Sequence, residues 1–226
     1  MAFSLTGAIG FLRDSVLPRL SIRFDKSPID TLDKLGFFVH TRSAYVAQTS
    51  LYGYVKTRMG TQYRELFQDD EYVKAIDFAK WRVFAACLSD LCVFVTALVA
   101  TECKLSSEDA KQFAGECFAH CVAATFGDCG EPALAAEVEK QFRERAATIH
   151  WPNAAEGESA FTFSPPELIH WAPIDPQLKQ FDEKIVRNSI RFRWRDVRTQ
   201  MRNRLDAAAI VADWRQQGEA EQSVKV

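Results

Sequence analysis

The feature that most constrains this chain is an apolar run over residues 79–101, AKWRVFAACLSDLCVFVTALVAT, whose single acidic residue is Asp90. Its apolar side chains cover every face of a helix, so protein or lipid must surround it. The run is long enough to span a bilayer. However, a carboxylate at mid-span costs at least about 2.5–3.5 kcal/mol, and the sequence has no second run of this kind. We therefore predict a buried central helix over about residues 70–103.

Helical periodicity in the remaining segments predicts an all-α fold, a bundle of about six or seven helices around this very apolar central helix. Residues 4–17 have apolar side chains at helical spacing. Ser27-Pro28 is a typical helix start, and the helix it begins should run to Met59. Apolar residues recur every seven positions along it, which is typical of a helix packed lengthwise in a bundle; they are Phe38, Tyr45, Tyr52 and Met59.

Four segments follow from these patterns. We expect residues 1–149 to form the bundle and residues 150–175 to be an irregular connection. Residues 176–216 should form a long Arg-rich C-terminal helix that packs on the bundle or on a partner. Residues 217–226 should be a frayed tail, because they are polar and terminal.

Charge is unevenly distributed, although the net charge is only −2. Residues 102–183 hold 6 Lys/Arg and 15 Asp/Glu, whereas residues 184–215 hold 9 and 3. The basic helix could pair with this acidic region, an acidic protein, an anionic membrane surface or nucleic acid. A pI of about 6.1 argues against a dedicated nucleic-acid binder. The predicted partner-binding residues are Arg187, Arg191, Arg195, Arg198, Arg202 and Trp194.

Six cysteines lie within 43 residues and inside apolar helical patterns, which indicates reduced, buried thiols in a cytoplasmic protein. Cys117, His120 and Cys121 are spaced to share one side of a helix. Structural zinc takes four ligands, and a fourth would have to come from elsewhere, such as Cys87, Cys92 or His40. We therefore expect core cysteines, with no metal and no other cofactor.

Asp90 is the residue on which a structural and a functional interpretation differ. A carboxylate on an apolar helix needs a donor or is held neutral, and the expected partners are Arg42, Lys56, His40 and His120. If the protein is an enzyme, hydrolase-like chemistry would rest on Asp90, His40 and His120. A ligand pocket would contain Asp90, Tyr45 and Tyr52.

Catalytic motifs are missing from the sequence. It contains no Gly-x-Ser-x-Gly, no phosphate-binding glycine loop and no His-Glu-x-x-His. Glu167-x-x-His170 occurs once, whereas carboxylate di-iron chemistry needs such a motif twice. The sequence thus favours a non-enzymatic interaction or assembly protein that forms a homo-oligomer or binds a protein partner. The alternatives are a small-molecule or lipid-binding bundle and a peripheral membrane protein that contacts anionic lipid.

Overall fold

A computed structural model describes residues 26–129 and 132–224 of the chain. Within these ranges the fold is all-α, with ten α-helices and no strand, which confirms the predicted fold class. The predicted helix over residues 4–17 lies outside the described residues. The helices are α1 (Leu32–Met59), α2 (Tyr63–Leu66), α3 (Asp70–Glu102), α4 (Ser107–Cys129), α5 (Pro132–Ala146), α6 (Trp151–Glu156), α7 (Ser164–Trp171), α8 (Pro176–Lys179), α9 (Glu183–Arg204) and α10 (Ala207–Val224), with a 3₁₀ turn at Gly60–Gln62.

Helix α3 is the central helix, with bounds close to those predicted. It begins where the Asp69 side chain accepts hydrogen bonds from the backbone N–H groups of Glu71 (2.8 Å) and Tyr72 (3.3 Å). By length and composition α3 could cross a membrane, since its most apolar window has a mean hydropathy of 2.3. However, 94% of that window is buried inside the molecule, where α1, α4, α6 and α7 pack against it. A core helix shows this pattern.

Helix α1 begins at Leu32, four residues after the predicted start at Ser27-Pro28. Thr31 is its N-cap, and the Thr31 side chain accepts a hydrogen bond from the Lys34 N–H (3.3 Å). The helix starts late because the backbone of Ile29 is engaged elsewhere. Its N–H donates to the Arg204 carbonyl (2.7 Å), and its carbonyl accepts from the Asp206 N–H (3.0 Å). This short parallel bridge ties the start of α1 to the junction of α9 and α10.

The segment 150–175 is not an irregular connection, because it contains α6 and α7. His150 caps α6, its side chain accepting from the Asn153 N–H (3.4 Å). Trp151 and Leu168 are buried in the core. Apolar residues distributed through the segment hold it against α3, so it is part of the bundle rather than a loop outside it.

The predicted helix over residues 176–216 is divided into α8, α9 and α10. The first break brings Asp182 into contact with α1, where its carboxylate accepts hydrogen bonds from the Tyr54 hydroxyl (2.6 Å) and Arg58 Nε (2.6 Å). The second break falls at Leu205, which adopts an extended conformation beside Ile29. Helix α10 continues to Val224, so most of the predicted tail is helical. Both breaks depend on distant partners, which periodicity does not reveal.

Replacing Gly157 with alanine should destabilise the fold. Gly157 ends α6 with a φ of +107°, and an added Cβ would lie 2.8 Å from Arg198 Nη1. Left-handed backbone costs other residues about 1–2 kcal/mol, so Gly157→Ala should lower the free energy of unfolding by at least about that amount. Gly115→Ala is the control, because Gly115 lies within α4 with nothing within 4 Å of the added Cβ. That change should stabilise by about 0.5–1 kcal/mol. Urea unfolding that gives both variants the same sign would contradict this account.

Candidate functional site

Asp90 lies at the middle of α3 and is 0% exposed. Its carboxylate accepts hydrogen bonds from three groups on distant parts of the chain. Arg145 Nη1 lies 2.8 Å from Oδ1, the Phe163 N–H 3.0 Å from Oδ1, and the Ser164 N–H 2.8 Å from Oδ2. The buried charge is therefore both paired and hydrogen-bonded, the two conditions under which a charge is tolerated in a core.

The two backbone donors come from the start of α7. Pro165 and Pro166 occupy its first turn and have no N–H. Phe163, at the N-cap position, has no side-chain oxygen to cap the helix. The N–H groups of Phe163 and Ser164 therefore need an acceptor from outside the helix, and Asp90 supplies it. A carboxylate at this position also interacts favourably with the helix dipole.

Arg145 connects α5 to the same site. Besides Asp90, its guanidinium donates to Ser89 Oγ (2.7 Å) and to the Ala160 carbonyl (2.7 Å). It also lies over the ring of Phe163, 5.1 Å from the centroid. One side chain thus fixes α3, α5 and the segment before α7 relative to one another.

Ser164 extends the network to α9. Its Oγ accepts a hydrogen bond from Trp194 Nε1 (3.2 Å), and the Trp194 ring packs on Phe161 with centroids 4.7 Å apart. Burial raises the pKa of Asp90, while the Arg145 charge and the hydrogen bonds oppose that effect. The arrangement is a buried structural ion pair that also caps a helix.

The residues predicted as partners of Asp90 are not the ones that bind it. Asp90 makes no hydrogen bond or ion pair with Arg42, Lys56, His40 or His120 within the described part of the chain. His40 is half-buried with its ring edge-on to Phe84 (5.5 Å), and burial lowers its pKa. His120 is exposed on α4. The predicted catalytic set of Asp90, His40 and His120 is therefore not assembled.

The three residues of the predicted ligand pocket have different surroundings in the described part of the chain. Tyr45 is exposed on the outer side of α1, whereas Tyr52 packs against Phe67 with centroids 6.1 Å apart. Asp90 is closed off by its three donors. The seven-residue spacing correctly placed both tyrosines on α1, but spacing along one helix does not show whether their side chains lie near Asp90 on α3.

A cleft of about 280 Å³ opens beside the ion pair, between α3, α5 and α7. Phe118 and Phe142, stacked 4.0 Å apart, form part of its wall. Arg82 Nη1 contacts Glu137 Oε1 (2.7 Å), which lowers the pKa of Glu137. Arg82 Nε is buried without a hydrogen-bond partner among the described residues. The polar side chains that line the cleft are Arg82, Ser89, Glu137, Gln141, Glu167 and His170.

Sequence patterns did not identify this cleft. Its polar residues come from three helices, and only Glu167 and His170 form a recognisable spacing. That spacing was discounted as half of a di-iron motif. Glu167 instead accepts a hydrogen bond from Trp171 Nε1 (2.7 Å).

Three members of the predicted partner-binding set contact other parts of the molecule. Trp194 is 1% exposed, in the network described above. Arg202 Nη2 donates to the Ala155 (2.9 Å) and Glu156 (3.1 Å) carbonyls, at the negative end of α6. Arg198 lies over the ring of Phe161, 5.8 Å from the centroid. Trp194 was predicted to bind a partner, but it is buried. The exposed aromatic residue in this part of α9 is Phe192, two positions earlier.

The other three arginines of that set lie on the surface. Arg187 pairs with Glu183 one turn away, and Arg191 pairs with Glu158 (3.0 Å). Arg195 lies over the ring of Phe192, 4.6 Å from the centroid. Partner binding by these arginines stays a prediction.

Large apolar side chains are exposed on the outer side of α9 and in the turn just before it. Phe181 is 81% exposed, Ile185 67% and Phe192 61%. Ile185 and Phe192 are seven residues apart and so lie on one side of the helix. Helix α9 itself carries eight Lys/Arg and two Asp/Glu, a net charge of +6. We call Phe181, Ile185, Phe192 and the neighbouring Arg195, which lies over the Phe192 ring, the basic apolar face.

Cysteine side chains converge at a separate site. The three Sγ atoms of Cys92, Cys117 and Cys121 lie within 4.8 Å of one another. His120, the third member of the predicted metal set, is not part of this group. Five cysteines of the described chain are free thiols.

Comparison with protein-family models, with curated proteins and with solved structures finds no significant match to this chain. Its function has therefore to be inferred from its own surfaces and sites. Stabilising the fold is sufficient to explain the Asp90 network. It does not explain the basic apolar face, the cleft or the cysteine group.

Removing the cation from the Asp90 network should be strongly destabilising. Arg145→Leu leaves a buried carboxylate without its counter-charge, so we expect a loss of about 3–5 kcal/mol in the free energy of unfolding. Arg143→Leu is the control, two residues away on α5. Arg143 forms an exposed pair with Glu139 (2.9 Å), and such pairs contribute about 0–1 kcal/mol. Denaturant unfolding measures both losses.

The double variant Asp90→Leu/Arg145→Leu tests the capping role. It should recover part of the stability lost in Arg145→Leu, because no buried charge remains unpaired. Recovery should be incomplete, since the N–H groups of Phe163 and Ser164 then have no acceptor, at about 1–3 kcal/mol each. Full recovery would show that capping by Asp90 contributes nothing.

Proposed function

We propose that this protein is a non-enzymatic helical interaction protein that binds a protein partner through the basic apolar face. The observation that carries the proposal is the exposure of Ile185 and Phe192 on one side of α9, with Phe181 exposed in the turn just before the helix. Aromatic side chains together with arginine are the residues enriched in the energetic centres of protein interfaces. The partner segment that fits this surface is an amphipathic helix with acidic residues flanking an apolar stripe.

Charge decides between a different protein and a second copy of this chain. A symmetric dimer would pair the face with itself, which would bring two helices of net charge +6 together. Docking the face onto the acidic region of another copy would be a head-to-tail contact, which forms rings or open chains. An acidic segment of a different protein avoids both problems, and this favours a hetero-complex over self-association.

The compartment we propose is the cytoplasm. The free cysteines suit a reducing environment, where thiols stay unpaired. An anionic membrane surface is the competing occupant of the basic apolar face, since the same charges would attract it. Binding to vesicles of acidic lipid would indicate a membrane surface, whereas capture of a defined polypeptide would indicate a protein partner.

Substituting one exposed aromatic residue should remove the partner. Phe192→Glu places a carboxylate in the basic apolar face, so a partner captured by the immobilised wild-type chain from its native extract should be lost. Phe37→Glu is the matched control, because Phe37 is 60% exposed on α1 and Phe192 61% exposed on α9. Quantitative mass spectrometry compares the captured proteins, and circular dichroism checks that both variants keep their helix content.

Salt and vesicles complete this test. Binding of an acidic partner should weaken between about 0.05 and 0.5 M NaCl as screening shortens the reach of the charges. Equal capture by Phe192→Glu and Phe37→Glu would contradict the proposal. Flotation with phosphatidylserine vesicles that depends on Phe192, without any protein partner, would assign the face to membranes instead.

The second candidate function is small-molecule binding in the cleft, favoured by the buried, unpartnered Arg82 Nε at its wall. Stacked phenylalanines beside a few polar groups suit a small ligand with an apolar body and a polar end. Both hydrolase-like activity and simple binding would require such a ligand to occupy the cleft.

Blocking the mouth of the cleft tests this candidate. Gln141 is exposed at the rim, so Gln141→Trp should cover the opening with little effect on folding. Fragments detected by ligand-observed NMR should bind the wild type and lose binding to Gln141→Trp. Lys140→Trp, the adjacent exposed position on α5, should still bind them. No fragment binding, or equal loss in both variants, would eliminate the cleft as a ligand site.

A further inference from the structure

The cysteine group has the geometry of a ligand set. Cys117 and Cys121 lie one turn apart on α4 and face the same side, where Cys92 of α3 meets them. All three residues are buried, and their Sγ atoms lie within 4.8 Å of one another. With metal–sulfur bonds of about 2.3 Å, three sulfurs around one ion lie roughly 4 Å apart. Small side-chain rotations would be enough to close the group around an ion.

Helix α1 covers the group at Gly36. The Cys121 thiol donates to the Gly36 carbonyl across a 3.7 Å S···O distance. A Cβ at Gly36 would lie 2.9 Å from Cδ2 of the His120 ring, so the glycine allows α1, His120 and the thiols to approach closely. His120 itself is exposed on α4.

The ligand chemistry points to a soft ion. Thiolates prefer monovalent copper, zinc and iron–sulfur clusters. Structural zinc takes four protein ligands, and no fourth histidine, cysteine or carboxylate atom joins the three sulfurs within the same distance in the described residues. Three sulfurs without nitrogen or oxygen suit monovalent copper best.

We propose that Cys92, Cys117 and Cys121 form a buried three-sulfur site for a monovalent copper ion. Binding replaces thiol protons, which are released to solvent. The copper stays monovalent, so no electron is transferred. This proposal is independent of the partner-binding function.

The experiment uses the full chain, reduced and kept free of oxygen. Monovalent copper is titrated against a chromophoric copper(I) chelator, and one ion per chain should be withdrawn from it. Copper K-edge X-ray absorption should then show sulfur neighbours at about 2.3 Å, the metal–sulfur distance quoted above. Binding should also raise the thermal unfolding temperature, because the ion binds only the folded site.

Matched alanine variants identify the ligands. Cys117→Ala and Cys121→Ala should each weaken binding by more than the roughly 10–100-fold typical of losing an outer-shell partner. Cys87→Ala should bind like the wild type, since Cys87 is an equally buried cysteine of α3 outside the group. Circular dichroism confirms that each variant is folded.

Three results would overturn the proposal. Copper that stays with the chelator would show that the group consists of core thiols only. Equal affinity in Cys117→Ala and Cys87→Ala would place the ion elsewhere. Zinc held by three sulfurs and a nitrogen, in preference to copper, would assign a different ion and add His120 to the ligands.

Discussion

The ion pair between Asp90 and Arg145 is the interaction on which the arrangement of the helices depends. Moving two charges into a core costs several kcal/mol per ion. Here that cost is offset by four further hydrogen bonds, two accepted by Asp90 and two donated by Arg145. Arg145 also lies over the ring of Phe163. Together these contacts join α3, α5 and the segment from Ala160 to Ser164. The pair therefore specifies which segments meet at the centre of α3.

The position of α9 follows from the same network. Asp90 holds the start of α7, Ser164 in that turn accepts from Trp194, and Trp194 lies on the inner side of α9. Trp194 and Phe192 are two residues apart, so burying the former turns the latter toward solvent. The basic apolar face is thus oriented outward by the core interaction that fixes its opposite side.

Local and distant determinants explain how much the sequence could predict. The bounds of α3 follow from its own composition and from Asp69, so they were predicted closely. The partner of Asp90 lies 55 residues away on a helix whose pattern reveals only its own buried side. The break at Asp182 likewise depends on contacts with α1, and the break at Leu205 on contacts with Ile29, just before α1. Of the cysteine group, the spacing of Cys117 and Cys121 was visible, whereas the approach of Cys92 depends on how α3 packs on α4.

The segregated charge of the sequence is only partly neutralised within the fold. Glu158 pairs with Arg191, and the C-terminal carbonyls of α6 accept from Arg202. Arg195 lies over the exposed Phe192 ring, and its acidic neighbour is the adjacent Asp196 of the same helix. Charges placed in this way contribute mainly to the rate and selectivity of association. Affinity would then come from Phe181, Ile185 and Phe192, because burying them removes apolar surface from water.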